Sequence, residues 1–210
     1  MNARVKQSLL GSLCVLLVIV VTGFAMWPRT PVNLGDPRQM SNSHLYLHWQ
    51  AGNVIVLIRH AERCDRSSHP CLGPEDGITL IGQSTAIALG HAYRELGMAN
   101  AEILSSPLTR TLQTSQYMFG KPAQAQPWLS SCGPTLKSDV LAHKQARHNL
   151  ILITHSGCIS DLEKQLGYEH ALASEYSSSL FLAVEPDGQL KVLGIMNSEH
   201  WPPTLNNVQQ

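Results

Sequence analysis

The residues of this chain that could do chemistry gather at the ends of short apolar runs. Val54–Ile58 leads into Arg59 and His60, with Glu62, Arg63 and Asp65 close behind. Ala101–Leu104 leads into Ser105, Ser106 and Pro107, and Arg110 follows. Leu150–Ile153 leads into Thr154, His155, Ser156 and Gly157. The guanidinium of arginine is a rigid fork that meets phosphate oxygens two at a time. A neutral imidazole is a nucleophile near pH 7, and a second imidazole can donate to the same oxygens as charge builds on them. Phosphoryl transfer needs little beyond such positioning and charge stabilisation. A lone histidine or arginine at a strand end is ordinarily a satisfied structural residue. Arg59, His60, Ser106, Arg110 and His155 at three successive strand ends instead point to an anion site.

The elements that must position these residues can be read from the pattern. The three apolar runs are short and nearly continuous, as buried parallel strands are. Thr79–Leu96 has helical spacing, with Thr79 as N-cap candidate and Gly97 as its stop. Pro107 suits the first turn of a helix over Leu108–Phe119, and Ser160–Leu166 is expected as a third helix. Ser179–Val184 and Leu190–Ile195 flank Pro186, Asp187 and Gly188 and read as a hairpin. Alternating strands and helices predict an α/β fold, three layers deep with a mostly parallel central sheet. In such sheets the ligand crevice lies beyond the carboxyl ends of the strands, where the three motifs converge. Residues 53–210 are expected to form this domain, and residues 28–52, rich in Pro, Asn, Ser and Gly, a linker with a short lead-in helix.

The motifs also carry a resemblance. Arg59-His60-Ala61-Glu62 resembles the RHG signature of the histidine phosphatase superfamily, with Ala61 in the glycine position. Ser105 to Thr114 resembles its SSPLxRxxQT motif, Thr154 to Gly157 its second histidine motif, and Thr79 to Gln83 its LTxxG helix opening. The resemblance spans Val54 to about Leu166. It implies a phosphoglycerate mutase-like fold and a phosphoric monoester hydrolase without a cofactor or metal. His60 would become the phosphohistidine, Arg59, Arg110 and His155 would hold the phosphate, and water would release it. The tracts Arg59–Ser67 and Leu129–Gly133, with His155 followed by Cys158, further resemble an exported, Ais-type branch that acts on heptose phosphate of the lipopolysaccharide core. That implies a phosphorylated sugar as partner. One part departs from the superfamily: its usual acidic glutamate is replaced by a serine within Leu129–Gly133. Asp139 and Glu62 are the candidates for the proton donor, and the alternative for Glu62 is an ion pair with Arg63. A leaving group good enough to depart with little acid help is a further possibility. A phosphohistidine or small-phosphoester phosphatase of the same fold, and a tethered phosphate- or glycan-binding module without catalysis, are the competing functions.

The beginning of the chain points to export. Arg4 and Lys6 precede Ser8–Trp27, a run without a charge. As a helix of 20 residues it would measure about 30 Å, the thickness of bilayer hydrocarbon. Residues 1–27 thus read as a signal peptide or a transmembrane anchor, with the rest of the chain outside the cytoplasm, in a periplasm. Cys64, Cys71, Cys132 and Cys158 then read as disulfides with three possible pairings. Proximity favours Cys64 with Cys71, which leaves Cys132 with Cys158. Their spacing lacks the close cysteine pairs of a zinc site. Formal net charge is zero over 210 residues, which gives no footprint for nucleic acid.

Overall fold

The computed structural model describes residues 13–23, 30–169 and 171–201. Residues 13–23 form a helix, α1, with every side chain exposed. The expected span Ser8–Trp27 lies partly outside the described residues. Among those described, no helix is long and apolar enough to cross a membrane.

The elements that follow are α2 (Pro37–Ser43), α3 (Leu45–Gln50), β1 (Val54–Arg59), α4 (Leu80–Leu96), β2 (Ala101–Ser105), α5 (Thr109–Phe119), β3 (Gln124–Ala125), α6 (Leu136–His143), β4 (Asn149–Thr154), α7 (Ser156–Gln165), β5 (Ser179–Val184) and β6 (Leu190–Met196). They build a six-stranded sheet in the order β3-β2-β4-β1-β5-β6. β1 lies in the middle, parallel to β4 and antiparallel to β5. β2 is parallel to both β4 and β3. The hairpin β5–β6 has the expected register ends, Val184 opposite Leu190.

Alternation along the strands divides the interior in two. Val54, Val56 and Ile58 of β1, with Ile151 and Ile153 of β4, face a core shared with Ala86, Leu89 and Tyr93 of α4 and Met118 of α5. Ile55 and Leu57, with Leu150 and Leu152, face Leu136 and Val140 of α6 and Ile159 and Leu162 of α7. A strand covered on both faces must be apolar at every position, so β1 and β4 read as continuous apolar runs. The result is three layers, α/β/α, as expected. α4 and α5 pack closely enough that a Cβ on Gly90 would lie 2.1 Å from the carbonyl oxygen of Met118. Glycine at 90 is therefore what permits that contact.

The segment read as a linker is part of the domain. Leu34, Met40, Leu45 and Trp49 are all buried in the first core. The Trp49 indole donates to the carbonyl of Gly97 at 2.7 Å and its ring lies 5.9 Å from that of Tyr93. Upstream, Leu34 N donates to Ile195 O and Ile195 N to Val32 O, so this stretch covers the outer edge of β6. The approach is close: a Cβ on Gly194 (φ +148°) would come within 2.6 Å of Val32 O. Loop-forming residues concealed the packing because its apolar anchors are widely spaced and follow no single period. Three further differences are smaller. α7 begins at Ser156 rather than Ser160, and α6 and β3 arise where no periodic signal stood.

Trp49→Ala should lower stability by about 3–5 kcal/mol, the cost of emptying a large aromatic site in a core. Urea unfolding followed by far-UV dichroism measures it. A loss below about 1 kcal/mol would return residues 30–52 to the status of a loose lead-in.

Candidate active site

Three parallel strands deliver the site from their carboxyl ends. β1 ends at Arg59 and the chain continues into His60, whose amide donates to Thr154 O at 2.9 Å. β2 runs into Ser106, whose amide donates to Ile153 O at 2.9 Å. β4 runs into His155, which caps α7 in extended conformation. The sheet's own hydrogen-bond pattern thus continues past the strands and fixes the spacing of the site. Because α7 starts directly after His155, its first turn points free amides and a positive helix end at the same crevice.

The loop after His60 is held from α5. Thr114 Oγ1 accepts from Ala61 N at 3.0 Å while donating to Arg110 O, and Gln113 Oε1 accepts from Ile78 N at 2.8 Å. These two residues of the second motif are positioning residues.

The imidazole geometry decides what His60 can do. Its Nδ1 lies 2.8 Å from Ala61 O. A carbonyl oxygen only accepts, so Nδ1 carries the proton and Nε2 presents a lone pair. Arg110 Nε donates to that Nε2 at 3.2 Å. His155 Nδ1 is 3.5 Å from Arg110 Nη2, and its Nε2 is 2.9 Å from Ser106 Oγ. The two imidazole rings are 5.3 Å apart, edge to face. His60 is 3% exposed. That burial lowers its pKa to about 3, with Arg110 and Arg59, and His155 whenever it is protonated, further disfavouring a charge on the ring. Burial likewise lowers His155 to about 4, aided by Arg110, Arg63 and Arg59. Both rings are therefore neutral at pH 7, and the nucleophilic form of His60 is fully populated.

Arg59 is held from the other side. Its guanidinium carbon sits 3.8 Å over the ring of Tyr176, and Nη1 donates to Ser174 O. Its Nε is buried without a hydrogen-bond partner. Tyr176 also packs on His60, with ring centroids 5.7 Å apart. Tyr176 gave no signal in the sequence, since it lies in a loop of serines and glutamates before β5.

The two candidate acids are placed differently from the four basic groups. Glu62 Oε2 accepts from Thr79 Oγ1 at 2.7 Å and lies 2.9 Å from His69 Nδ1. Burial would push its pKa up, but hydrogen bonds from Thr79, His69 and Ser67 together hold it below the usual range. Glu62 is thus a carboxylate with partners, and Arg63 is not one of them. Arg63 instead forms a two-armed pair with Asp65. Asp139 lies in the first turn of α6, where its carboxylate accepts from Thr135 Oγ1 at 2.8 Å. No described contact joins it to His60, His155, Arg59 or Arg110. Arg63 itself is a site residue that sequence reasoning missed, since its charge acts on both Arg110 and His155.

Cys64, Cys71, Cys132 and Cys158 form two disulfides. Cys64–Cys71 closes the loop beyond the site, and Cys132–Cys158 ties the segment before α6 to the first turn of α7.

No family model matches the chain. It is 35% identical over 114 residues to the lipopolysaccharide core heptose(II)-phosphate phosphatase of Salmonella typhi, covering 53% of this chain and 56% of that protein. It is 32% identical over 154 residues to the protein of the same name from Escherichia coli K12, covering 72% of this chain and 76% of the other. Among solved structures, the protein histidine phosphatase SixA complexed with tungstate matches with a TM-score of 0.56 at 16% identity, over 69% of this chain and 97% of its own. Phosphoglycerate mutase from Bacillus anthracis matches with a TM-score of 0.51 at 16% identity, over 77% and 99%. The last two matches show the fold.

In free protein, the carbon-bound ring protons of His60 should show no titration between pH 8 and pH 5 by NMR. A midpoint near the ordinary value of about 6.5 would contradict the buried, neutral imidazole.

Proposed function

This chain belongs to the histidine phosphatase superfamily of phosphoric monoester hydrolases, and from that membership we propose that it is an exported phosphatase working through a phosphohistidine on His60, with a heptose phosphate of the lipopolysaccharide core as its substrate. The observation that carries the reaction is the orientation of His60: its proton is held on the Ala61 side, and its Nε2 lone pair faces Arg110. The sugar substrate rests on the names of the two relatives. Export rests on the charge-free run Ser8–Trp27 and on the two disulfides, which suit an oxidising compartment.

In this reading the phosphate enters between Arg59, Arg110 and the start of α7. The Nε2 lone pair of His60 attacks phosphorus, and the ester P–O bond breaks. The hydrogen bond from Nδ1 to Ala61 O strengthens as positive charge develops on the ring. Arg110, Arg59 and His155 hold the phosphoryl oxygens while charge redistributes over them. Water then attacks phosphorus, its oxygen forming the new P–O bond as the P–Nε2 bond breaks, which releases inorganic phosphate and returns the electron pair to His60, neutral again. Arg63, with Asp65 steadying it, extends the positive field toward the mouth, where the sugar would stand.

The leaving oxygen takes its proton from water. Glu62 is held ionised by Thr79 and His69, and Asp139 is bonded to Thr135.

With p-nitrophenyl phosphate, His60→Ala should lose about a thousandfold or more in kcat, and Arg110→Ala about a hundredfold or more. Turnover unchanged in His60→Ala would overturn the reaction assigned here. On core-oligosaccharide phosphate, Glu62→Gln and Asp139→Asn should each keep at least about a tenth of the activity. A loss approaching the 10²–10⁴-fold typical of a general acid, in either one, would identify that residue as the donor. Faster hydrolysis of phosphohistidine peptides than of core-oligosaccharide phosphate would replace the substrate and leave the mechanism standing.

A further inference from the structure

A second recess lies outside the phosphate crevice. It is a groove of about 210 Å³ walled by α7, by the stretch covering β6 and by the loop before β5, and its lining includes Asn33, Glu163, Leu172, Ser174, Glu175 and Asn197. We propose that this groove binds a small organic cation through a primary ammonium group held by Glu163.

The argument starts from polar atoms that the fold leaves without partners. Glu163, on α7, is 1% exposed, and its Oε2 is buried with no hydrogen-bond partner. Ser174, 4% exposed, has its Oγ in the same condition. Buried polar side chains in folded proteins are almost always bonded, so two orphans lining one cavity call for a ligand group that meets both. The chemistry of that group follows from the lining. Glu175 is a second carboxylate, Asn33 and Asn197 carry amide groups, and none of the described lining residues is basic. Glu163 thus lacks a cationic partner among the described residues. Burial has pushed the Glu163 carboxyl up to about 7, as happens to an acid without a counter-charge. An ammonium supplies three donors and the missing charge. A metal ion fits less well: among the described residues no group of three or more His, Cys, Asp or Glu is gathered to hold one. Leu172, Pro31 and Ile195 give the groove apolar surface suited to a carbon skeleton.

The groove shares a wall with the catalytic crevice. Ser174 lines the groove and accepts from Arg59 through its carbonyl. Glu175 lines the groove and its charge acts on Arg59, and Tyr176 carries the guanidinium on its ring. A bound ammonium would thus sit behind the loop that fixes the phosphate-binding arginine.

The test uses the full chain and n-butylammonium as probe, with n-butanol as its neutral counterpart. The expected result is saturable binding with a Kd of about 1–10 mM by amide chemical-shift titration, centred on Asn33, Ser174 and Glu175, and none for butanol. Glu163→Gln should weaken it at least about tenfold, the loss of one charge-assisted contact. Leu172→Lys is a second variant at a position 70% exposed, where folding is not at stake. Its own ammonium should occupy the carboxylate and abolish probe binding. Equal binding of butanol, no saturation, or unchanged affinity in Glu163→Gln or Leu172→Lys would each overturn the proposal. None of these readouts depends on phosphatase activity, so failure here is separate from failure of the function proposed above.

Discussion

A hydrogen bond between His60 Nδ1 and the carbonyl of Ala61 sets the chemistry of the whole crevice. Imidazole has two nitrogens, and only the unprotonated one can attack. By engaging Nδ1 with an oxygen that can only accept, the backbone leaves Nε2 as the exposed lone pair and turns it toward Arg110. That carbonyl is itself held in place, because the amide of Ala61 is tied to Thr114 and the amide of His60 to β4. In the other tautomer the proton would sit on Nε2, and Arg110 would face an N–H with no lone pair to accept its hydrogen bond.

The same crowding of positive groups that would ordinarily be costly becomes useful here. Arg59, Arg110 and two imidazoles share one crevice at the end of a buried sheet. Burial and mutual repulsion keep both rings neutral, with pKa values near 3 and 4. Sign matters for stability as well. Each ring has a folded pKa below its unfolded value of about 6.5, so the unfolded chain binds protons first as pH falls. Their contribution to stability is full above about pH 6.5 and drains away as pH descends toward 4 and then 3. An anion in the crevice opposes this trend, since it favours protonated rings. The arrangement suits a dianionic phosphate better than any neutral ligand.

Much of this was legible in the residues themselves. Continuous apolar runs at Val54–Ile58 and Leu150–Ile153 could only be strands covered on both faces, and strands of that kind end at a ligand crevice. Arg59, His60, Arg110 and His155 followed from that topology, and Ser106 with them. What escaped notice lacked a period or a local pattern. Trp49 and Leu34 are single anchors in a polar stretch, so their burial against the sheet could not be read from spacing. Tyr176 is placed by the turn before β5, which no propensity announces. The expected helix began at Ser160, so the start of α7 at Ser156, and the positive end it turns toward the crevice, had no signal. Glu62 was ambiguous for a physical reason. A carboxylate near a nucleophile can serve as acid or as structural acceptor, and its type and position in the sequence are the same in both; its bonds to Thr79 and His69 favour the acceptor.

The central claim is that phosphate is carried on Nε2 of His60. It is tested most directly by denaturing the enzyme in alkali during turnover of a ³²P-labelled monoester and identifying the labelled amino acid after digestion under alkaline conditions, where phosphohistidine survives. The account predicts Nε2-phosphohistidine in the peptide that contains His60. Label on Nδ1, on His155 or on no histidine at all would contradict it.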